Sequence, residues 1–142
     1  MTVDLMQVYT LCAGILSLIL LGLALHTGTV RSFMDKTFSN PEDAPMNVGK
    51  QQTLDLEHTQ RWRRTHANAM ENILPFLIIG YVLADNVPES TFWAWSFVIF
   101  TVFRITHAVS YINKKQPFRT MSFFGGWIVT VMIAVKLILI SL

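Results

Sequence analysis

The segment Arg64–Phe76 reads RTHANAMENILPF and continues directly into LIIGYVLA at Leu77–Ala84. The second part is apolar enough to lie in lipid, whereas the first part carries Arg64, Glu71 and several amide and imidazole groups. Charged groups are expensive inside a membrane and usually serve a function there. We call this polar first part the polar mouth of the helix. It indicates a membrane-spanning helix with a candidate functional site where the helix enters the lipid.

The composition of the whole chain is that of a membrane protein. Of its 142 residues, 52% are hydrophobic and only 14% are charged, and the mean hydropathy is +0.44. A soluble domain of this length is normally far less apolar. Four apolar stretches can each cross a hydrocarbon core, which needs roughly 20 helical residues. Because the sequence lacks the alternation of barrel strands, we predict an all-α integral membrane protein, a bundle of four transmembrane helices.

A single domain is predicted over the whole chain. The expected boundaries are 1–142 for the domain, about 5–30, 56–84, 92–112 and 119–141 for the helices, and 31–55 for a long loop. The first apolar stretch follows Asp4 and has no Lys or Arg ahead of it. We therefore interpret it as a retained helix and not as a cleaved signal peptide.

The distribution of basic residues predicts the orientation in the membrane. Nine of the eleven Lys and Arg residues fall after helix 1 or between helices 3 and 4, and the remaining connection, DNVPES, has none. Basic loops tend to face the cytoplasm, so the long loop and the polar mouth are expected on that side of a multi-pass protein. The net charge of +2 is explained by this topology, and nucleic acid is not an expected partner.

Helices 2 and 3 each place polar residues along one face, at spacings of three and four residues. The polar residues are Arg61, Arg64, Asn68 and Glu71 on helix 2, where Pro75 continues the same face, and Arg104, His107 and Tyr111 on helix 3. One interpretation is that Glu71 and Arg104 pair and staple the bundle. The other is a site for a polar ligand that enters from the cytoplasm. Arg119 and Thr120 open helix 4 at the same depth, and this number of polar groups favours the ligand site.

The chemistry of these groups indicates the kind of ligand. The guanidinium groups of Arg31, Arg64 and Arg119 suit carboxylates, the Glu71 carboxylate can receive an ammonium, and the Asn68 amide can pair with amides. The matching ligand is small, zwitterionic and anionic overall. A peptide-like thiol such as glutathione fits this description, and its thiol would become more nucleophilic if an Arg or a Tyr hydroxyl stabilised the thiolate.

Several motifs carry a resemblance to a known family. They are RTHANAMENILPF, FSNPEDA at Phe38–Ala44, RITHAVSY at Arg104–Tyr111 and PFRT at Pro117–Thr120. In this order they resemble the MAPEG family of membrane-associated proteins in eicosanoid and glutathione metabolism, over almost the whole chain. The resemblance implies a homotrimer with glutathione, as co-substrate, bound between neighbouring subunits near the cytoplasmic face. A lipophilic second substrate would reach its thiol from the bilayer.

The resemblance also implies roles for individual residues. The residues that would contact glutathione are Arg31, Arg64, Asn68, Glu71, His107, Tyr111 and Arg119. Arg119 matches the arginine credited in the family with stabilising the thiolate, and Thr120 stands where the prostaglandin E synthase members have a serine proposed to touch the thiol. Both are the expected catalytic residues.

Three departures from the family pattern bear on the reaction. Thr120 replaces that serine, Phe123 stands where several members have a tyrosine, and Ala67 replaces an arginine of the prostaglandin E synthase. They favour a general glutathione transferase acting in detoxification on lipophilic electrophiles, with peroxidase activity on lipid hydroperoxides. The alternatives are a glutathione-dependent eicosanoid isomerase or synthase, a non-catalytic membrane scaffold of the same fold, and, more weakly, a proton or ion pathway.

The remaining residues of interest receive structural roles. His66 and His107 lack Cys or carboxylate partners at metal-ligand spacing, so no metal is expected. Arg104 is predicted to pair with Glu71 near the trimer axis. Gly125–Gly126, in FFGGW, are predicted to allow close helix approach at the subunit interface.

Overall fold

The computed structural model describes residues 3–34, 37–38, 40, 42, 45, 49–51 and 56–142. In chain order its elements are α1 (Leu5–Thr29), a π-helical turn (Val30–Met34), β1 (Thr37–Phe38), β2 (Lys50–Gln51), α2 (Glu57–Asn86), α3 (Thr91–Ile112) and α4 (Phe118–Ser141). Within the described ranges, four helices are long and apolar enough to span a membrane. The chain is therefore an all-α integral membrane protein, which confirms the predicted fold class.

The long loop differs from its predicted form at both ends. Helical structure continues past α1 through the π-helical turn to Met34. Beyond it, β1 and β2 form a short parallel ladder in which Thr37 pairs with Lys50 and Phe38 with Gln51. Within the FSNPEDA motif, Ser39, Pro41, Asp43 and Ala44 lie outside the described residues.

The length of α2 explains how it carries a polar mouth. Its 30 residues extend about 45 Å at 1.5 Å per residue, whereas a hydrocarbon core is about 30 Å thick. Roughly ten residues must therefore project beyond the lipid chains. The polar end of the helix is its first turns, where Arg61 lies 3.0 Å from Glu57 and Lys114 lies 3.7 Å from the same carboxylate. These exposed pairs contribute little stability, but they place the start of α2 beside the turn between α3 and α4.

The opposite end of the bundle is closed by backbone contacts. Asp4 caps α1 by accepting from the backbone N–H of Met6 at 2.9 Å, and the N–H of Leu5 donates to the carbonyl of Pro88 at 2.9 Å. Ser90 caps α3 with its side-chain oxygen. Each of these contacts satisfies a helix-terminal N–H group, and together they hold the start of α1 against the α2–α3 connection.

Aromatic packing joins α2 to α3 in the interior. Phe76 stacks on Phe100 with ring centroids 3.8 Å apart and meets Phe97 edge-on at 5.4 Å. From α1, the hydroxyl of Tyr9 donates to the carbonyl oxygen of Leu77 at 2.8 Å. Lipid tails are as apolar as the side chains of the helices, so moving an apolar side chain from lipid into the bundle contributes little free energy. Close van der Waals packing and such interhelical hydrogen bonds stabilise the bundle instead.

Candidate functional site

The turn between α3 and α4 determines where the site residues of α4 lie. Lys114 adopts φ 59°, the N–H of Lys115 donates to the carbonyl of Ser110 at 2.9 Å, and the N–H of Lys114 donates to that of Tyr111 at 3.3 Å. This pair of hydrogen bonds around a left-handed residue is a Schellman motif. It ends α3 sharply and sends the chain back, so that the first turn of α4, from Phe118, lies beside the last turns of α3.

His107 of α3 contacts the backbone of that first turn. It is 5% exposed, and its Nδ1 lies 2.9 Å from the carbonyl oxygen of Arg119. A carbonyl oxygen can only accept, so Nδ1 must carry a proton. Nε2 is buried and has no hydrogen-bond partner within the described part of the chain. One nitrogen of His107 thus holds α4, and the other is buried without a partner among the described residues.

Arg104, one turn earlier on α3, also contacts α4. Its Nη2 donates to the carbonyl oxygens of Ser122 and Phe123 at 2.9 and 3.0 Å, and its guanidinium carbon lies 5.5 Å from the ring centroid of Phe100. Hydrogen bonds from a charged group contribute about 1.5–3 kcal/mol each. An arginine near the centre of a span costs roughly 2.5–3.5 kcal/mol. The two bonds offset only part of the cost of burying Arg104, because its Nε and Nη1 are buried with no partner among the described residues.

Within one subunit, Arg104 does not form the predicted pair with Glu71 in the described part of the chain. A pair between subunits stays a prediction. Arg104 is 3% exposed and is directed at α4, whereas Glu71 is exposed on α2. Among the described residues, no ion pair joins them. In the described residues, carbonyl groups of α4 accept from Nη2, whereas Nε and Nη1 of Arg104 are buried without a hydrogen-bond partner.

The two glycines of FFGGW explain how α3 and α4 come so close. A Cβ atom added to Gly126 would collide with the guanidinium of Arg104, and one added to Gly125 would lie 2.5 Å from the ring of Phe103. Each glycine therefore makes room for an α3 side chain of the same subunit. The predicted close helix approach thus occurs within one subunit, and a role of this pair at a subunit interface stays a prediction.

Arg119 and Tyr111 form the outer part of the site. The guanidinium carbon of Arg119 lies 5.0 Å from the ring centroid of Tyr111, a distance at which a cation is attracted by the ring face. The Tyr111 ring in turn meets His107 edge-on at 5.7 Å. Arg119 is half-buried, so its charge is held at the surface of the bundle and not sealed inside it.

Sequence reasoning missed Gln116, which contacts both predicted catalytic residues. With its amide oxygen facing the guanidinium, that oxygen accepts from Arg119 Nε at 3.2 Å and Nη2 at 2.7 Å, and the amide nitrogen donates to Thr120 Oγ1 at 3.0 Å. Gln116 precedes these residues by three and four positions. That spacing, across the first turn of a helix, was the signal available in the sequence. We call the set His107, Tyr111, Gln116, Arg119 and Thr120 the α4 mouth.

The other predicted site residues lie along α2. Arg64 is exposed and borders a cavity of about 260 Å³, lined among the described residues by Gln60, Arg63, Arg64 and Ala67. Asn68 is half-buried, and its Oδ1 is buried with no hydrogen-bond partner in the described ranges. Glu71 is exposed one turn further along. We call Arg64, Asn68 and Glu71 the α2 polar face.

Within one subunit, the structure brings together only part of the predicted set. His107, Tyr111, Arg119 and Thr120 meet in the α4 mouth. In the described part of the chain, no hydrogen bond or ion pair links this mouth to the α2 polar face. Arg31 lies half-buried in the π-helical turn that follows α1.

The fold and these two polar groups define a class, namely four-helix membrane proteins with a cationic polar site at one mouth of the bundle. The model of the MAPEG family matches residues 9–139. The chain therefore belongs to the MAPEG family, which confirms the resemblance.

Two kinds of relative are 34–37% identical to this chain over the aligned residues. It is 37% identical to prostaglandin E synthase of Homo sapiens over 117 residues, which cover 81% of this chain and 76% of the relative. The enzyme of that name from Macaca fascicularis is 36% identical, with the same coverage. Microsomal glutathione S-transferase 1 of Homo sapiens is 37% identical over 109 residues, which cover 72% of this chain and 70% of the relative.

Proposed function

We propose that this protein is a membrane-bound glutathione transferase, in which Arg119 stabilises the thiolate of glutathione for attack on lipophilic electrophiles. The observation that carries the proposal is the fixed guanidinium of Arg119. It lies over the ring of Tyr111 at 5.0 Å, and its own backbone carbonyl is held by His107 at 2.9 Å. A cationic donor set in place before the reaction stabilises developing negative charge without reorganisation.

The α2 polar face suits the rest of the tripeptide. A buried carbonyl oxygen such as Asn68 Oδ1 costs about 1–3 kcal/mol when it lacks a donor, and a peptide N–H would supply one. The exposed carboxylate of Glu71 can receive the α-ammonium group. Arg64, beside its cavity of about 260 Å³, offers two parallel N–H groups to a carboxylate. The donors and acceptors of the face therefore match the ligand class.

Bound glutathione supplies a thiol that reacts as its thiolate. The guanidinium of Arg119 favours the ionised form by its charge, and the hydroxyl of Thr120 can donate a hydrogen bond to the same sulfur. The thiol proton passes to solvent. A new S–C bond then forms while the bond from the electrophilic carbon to its leaving group breaks, and the leaving group departs with that electron pair.

The proposal includes assembly as a homotrimer with the site on the cytoplasmic side. Arg64 and Glu71 of the α2 polar face are exposed in a single subunit, so a neighbouring copy can complete the site around them. The apolar surfaces of α1 and α4 are also exposed, as shown by Leu18 and Ile138. They leave a route through which a lipophilic substrate can arrive from the bilayer, and the basic connections support the cytoplasmic placement.

A second candidate is a glutathione-dependent isomerase of eicosanoids. The relatives named prostaglandin E synthase, at 34–37% identity, favour it. Against it stand the departures at Ala67 and Phe123. The Phe123 ring lies 5.8 Å from that of His107, so a phenol that several family members place here is missing from the α4 mouth.

The test is a comparison of three reactions by the full chain in lipid nanodiscs. Conjugation of a lipophilic chloronitrobenzene, reduction of a lipid hydroperoxide and formation of prostaglandin E are measured with the wild type, Arg119→Ala and Arg119→Lys. Lys115→Ala, at an exposed position of the same turn, is the control. We expect conjugation by the wild type, a loss of about 100-fold or more in Arg119→Ala, and an unchanged control.

Each other outcome has a definite meaning. Prostaglandin E formation that greatly exceeds conjugation would establish the isomerase. Hydroperoxide reduction that also depends on Arg119 would add the peroxidase activity to the transferase. An intact oligomer that catalyses none of the three reactions would establish the scaffold and contradict the proposal.

A further inference from the structure

The side chain of Gln116 lies between two residues that the proposed function makes catalytic. Its amide can be placed in two orientations, since oxygen and nitrogen have nearly the same shape. A guanidinium has only N–H donors to offer. The amide oxygen must therefore face Arg119, where it accepts from Nε at 3.2 Å and from Nη2 at 2.7 Å. The opposite orientation would place two sets of donors against each other.

This orientation decides how Thr120 can act. Because the amide oxygen faces Arg119, the amide nitrogen faces Thr120 Oγ1 at 3.0 Å and donates to it. A hydroxyl that accepts from one side keeps its own proton for another partner. Thr120 is exposed, so that proton can be donated to a ligand atom at the mouth.

The same contact restricts the guanidinium of Arg119. Nε and Nη2 of Arg119 both donate to the amide oxygen of Gln116, which fixes the direction of that edge of the guanidinium. The guanidinium carbon lies over the Tyr111 ring, 5.0 Å from its centroid. An arginine side chain loses about 2 kcal/mol of rotamer entropy when it is fixed. Contacts that restrict it before a ligand arrives remove part of that cost from the binding step.

The neutral side chain of Gln116 leaves the positive charge of Arg119 free to act on a ligand. A carboxylate here would form an ion pair with Arg119 and offset its positive charge, and it would have no N–H to donate to Thr120. An amide orients the guanidinium while leaving its charge for the ligand. Of the side chains of this length, only Gln offers both the acceptor and the donor.

We propose that Gln116 is a positioning residue that directs Arg119 and Thr120 together at a single anionic ligand atom. The proposal rests on the proposed function, in which that atom is the sulfur of glutathione. Gln116 itself contacts neither sulfur nor electrophile. It acts by presenting an Arg N–H and a Thr O–H to the same point.

The first half of the test uses the ligand-free protein. The Nε–H resonance of Arg119 is recorded by NMR in nanodiscs and assigned by its absence in Arg119→Lys. We expect its exchange with water to accelerate about threefold to tenfold in Gln116→Ala, because one hydrogen bond of typical strength is lost. Asn113→Ala is the matched control, since Asn113 is an exposed amide of the same turn whose side chain donates to the carbonyl of Val109, on its own helix. It should leave the resonance unchanged.

The second half uses the protein loaded with glutathione. Thiolate absorbance is titrated with pH in the wild type, Gln116→Ala, Gln116→Glu and Asn113→Ala. We expect the thiolate fraction near neutral pH to fall about threefold to tenfold in Gln116→Ala and further in Gln116→Glu, with glutathione affinity reduced less. Gln116→Glu has nearly the shape of the wild type, so its effect cannot come from a lost contact surface.

The outcomes separate this proposal from the function on which it rests. A wild-type thiolate signal with unchanged thiolate titrations in both Gln116 variants would overturn the proposed role of Gln116 and leave the proposed function standing. Equal losses of glutathione affinity in Gln116→Ala and Gln116→Glu, with an unshifted thiolate titration, would also overturn it. That result would show that Gln116 only supports the structure of the turn. If the wild type itself shows no thiolate, the proposed function fails, and the ligand-free exchange rate then reports only a local contact.

Discussion

The imidazole of His107 donates from Nδ1 to the backbone carbonyl oxygen of Arg119 across 2.9 Å. The family resemblance implies that His107 contacts glutathione. The structure shows that one of its nitrogen atoms instead holds the backbone of the residue proposed to be catalytic. A contact with glutathione would have to use Nε2, which is buried and has no partner among the described residues.

Two substitutions at His107 separate those roles. An Asn side chain can place an N–H near the position of Nδ1 but has no counterpart of Nε2, whereas Ala lacks both. If the contact with Arg119 dominates, we expect His107→Asn to keep most of the turnover and His107→Ala to lose about tenfold in kcat. Steady-state conjugation rates test this. A matching rise in the KM for glutathione in both variants, with kcat unchanged, would show that Nε2 serves the ligand instead.

Glu71 is expected to contribute to binding and not to folding. It is exposed, so Glu71→Gln should assemble normally. Loss of the charged contact with the ammonium group should weaken glutathione binding by about 10- to 100-fold, as measured by calorimetry. Glu89→Gln is the control, because it alters an exposed carboxylate in the α2–α3 connection at the other end of the bundle. Equal affinities for Glu71→Gln and the wild type would remove Glu71 from the site.

Gly126 should tolerate no side chain. A Cβ at this position collides with the guanidinium of Arg104, whereas one at Gly22 of α1 meets nothing within 4 Å. Gly126→Ala is therefore expected to destabilise the protein by about 1–3 kcal/mol and to disturb the start of α4. Gly22→Ala should be close to neutral. Thermal unfolding in the same detergent compares the two, and similar midpoints would contradict the packing described for α3 and α4.

Much of the fold follows from local patterns. Four apolar stretches and the scarcity of charge predict four spanning helices, because few other structures satisfy the backbone in lipid. The spacing of Arg64, Asn68 and Glu71 predicts a shared face on α2, and the structure leaves polar groups of that face exposed or without partners. Periodicity is sufficient in both cases because each helix determines its own faces.

Contacts between helices were harder to predict from the sequence. Arg104 was predicted to meet a carboxylate, but within one subunit its Nη2 donates to carbonyl groups of α4, and a sequence does not show which backbone carbonyl will accept. The contact of Gly126 with Arg104 could not be predicted for the same reason. Gln116 was overlooked because its importance depends on a Schellman turn whose left-handed residue is Lys114, where a glycine would have signalled the turn.

The most direct test of the central claim is a near-ultraviolet difference spectrum of the purified protein on addition of glutathione, with Arg119→Ala measured beside it. The proposed function predicts a thiolate band in the wild type that is lost in Arg119→Ala, while both proteins elute as the same oligomer. A wild-type oligomer that binds glutathione without a thiolate band, or a band that persists in Arg119→Ala, would contradict thiol activation by Arg119.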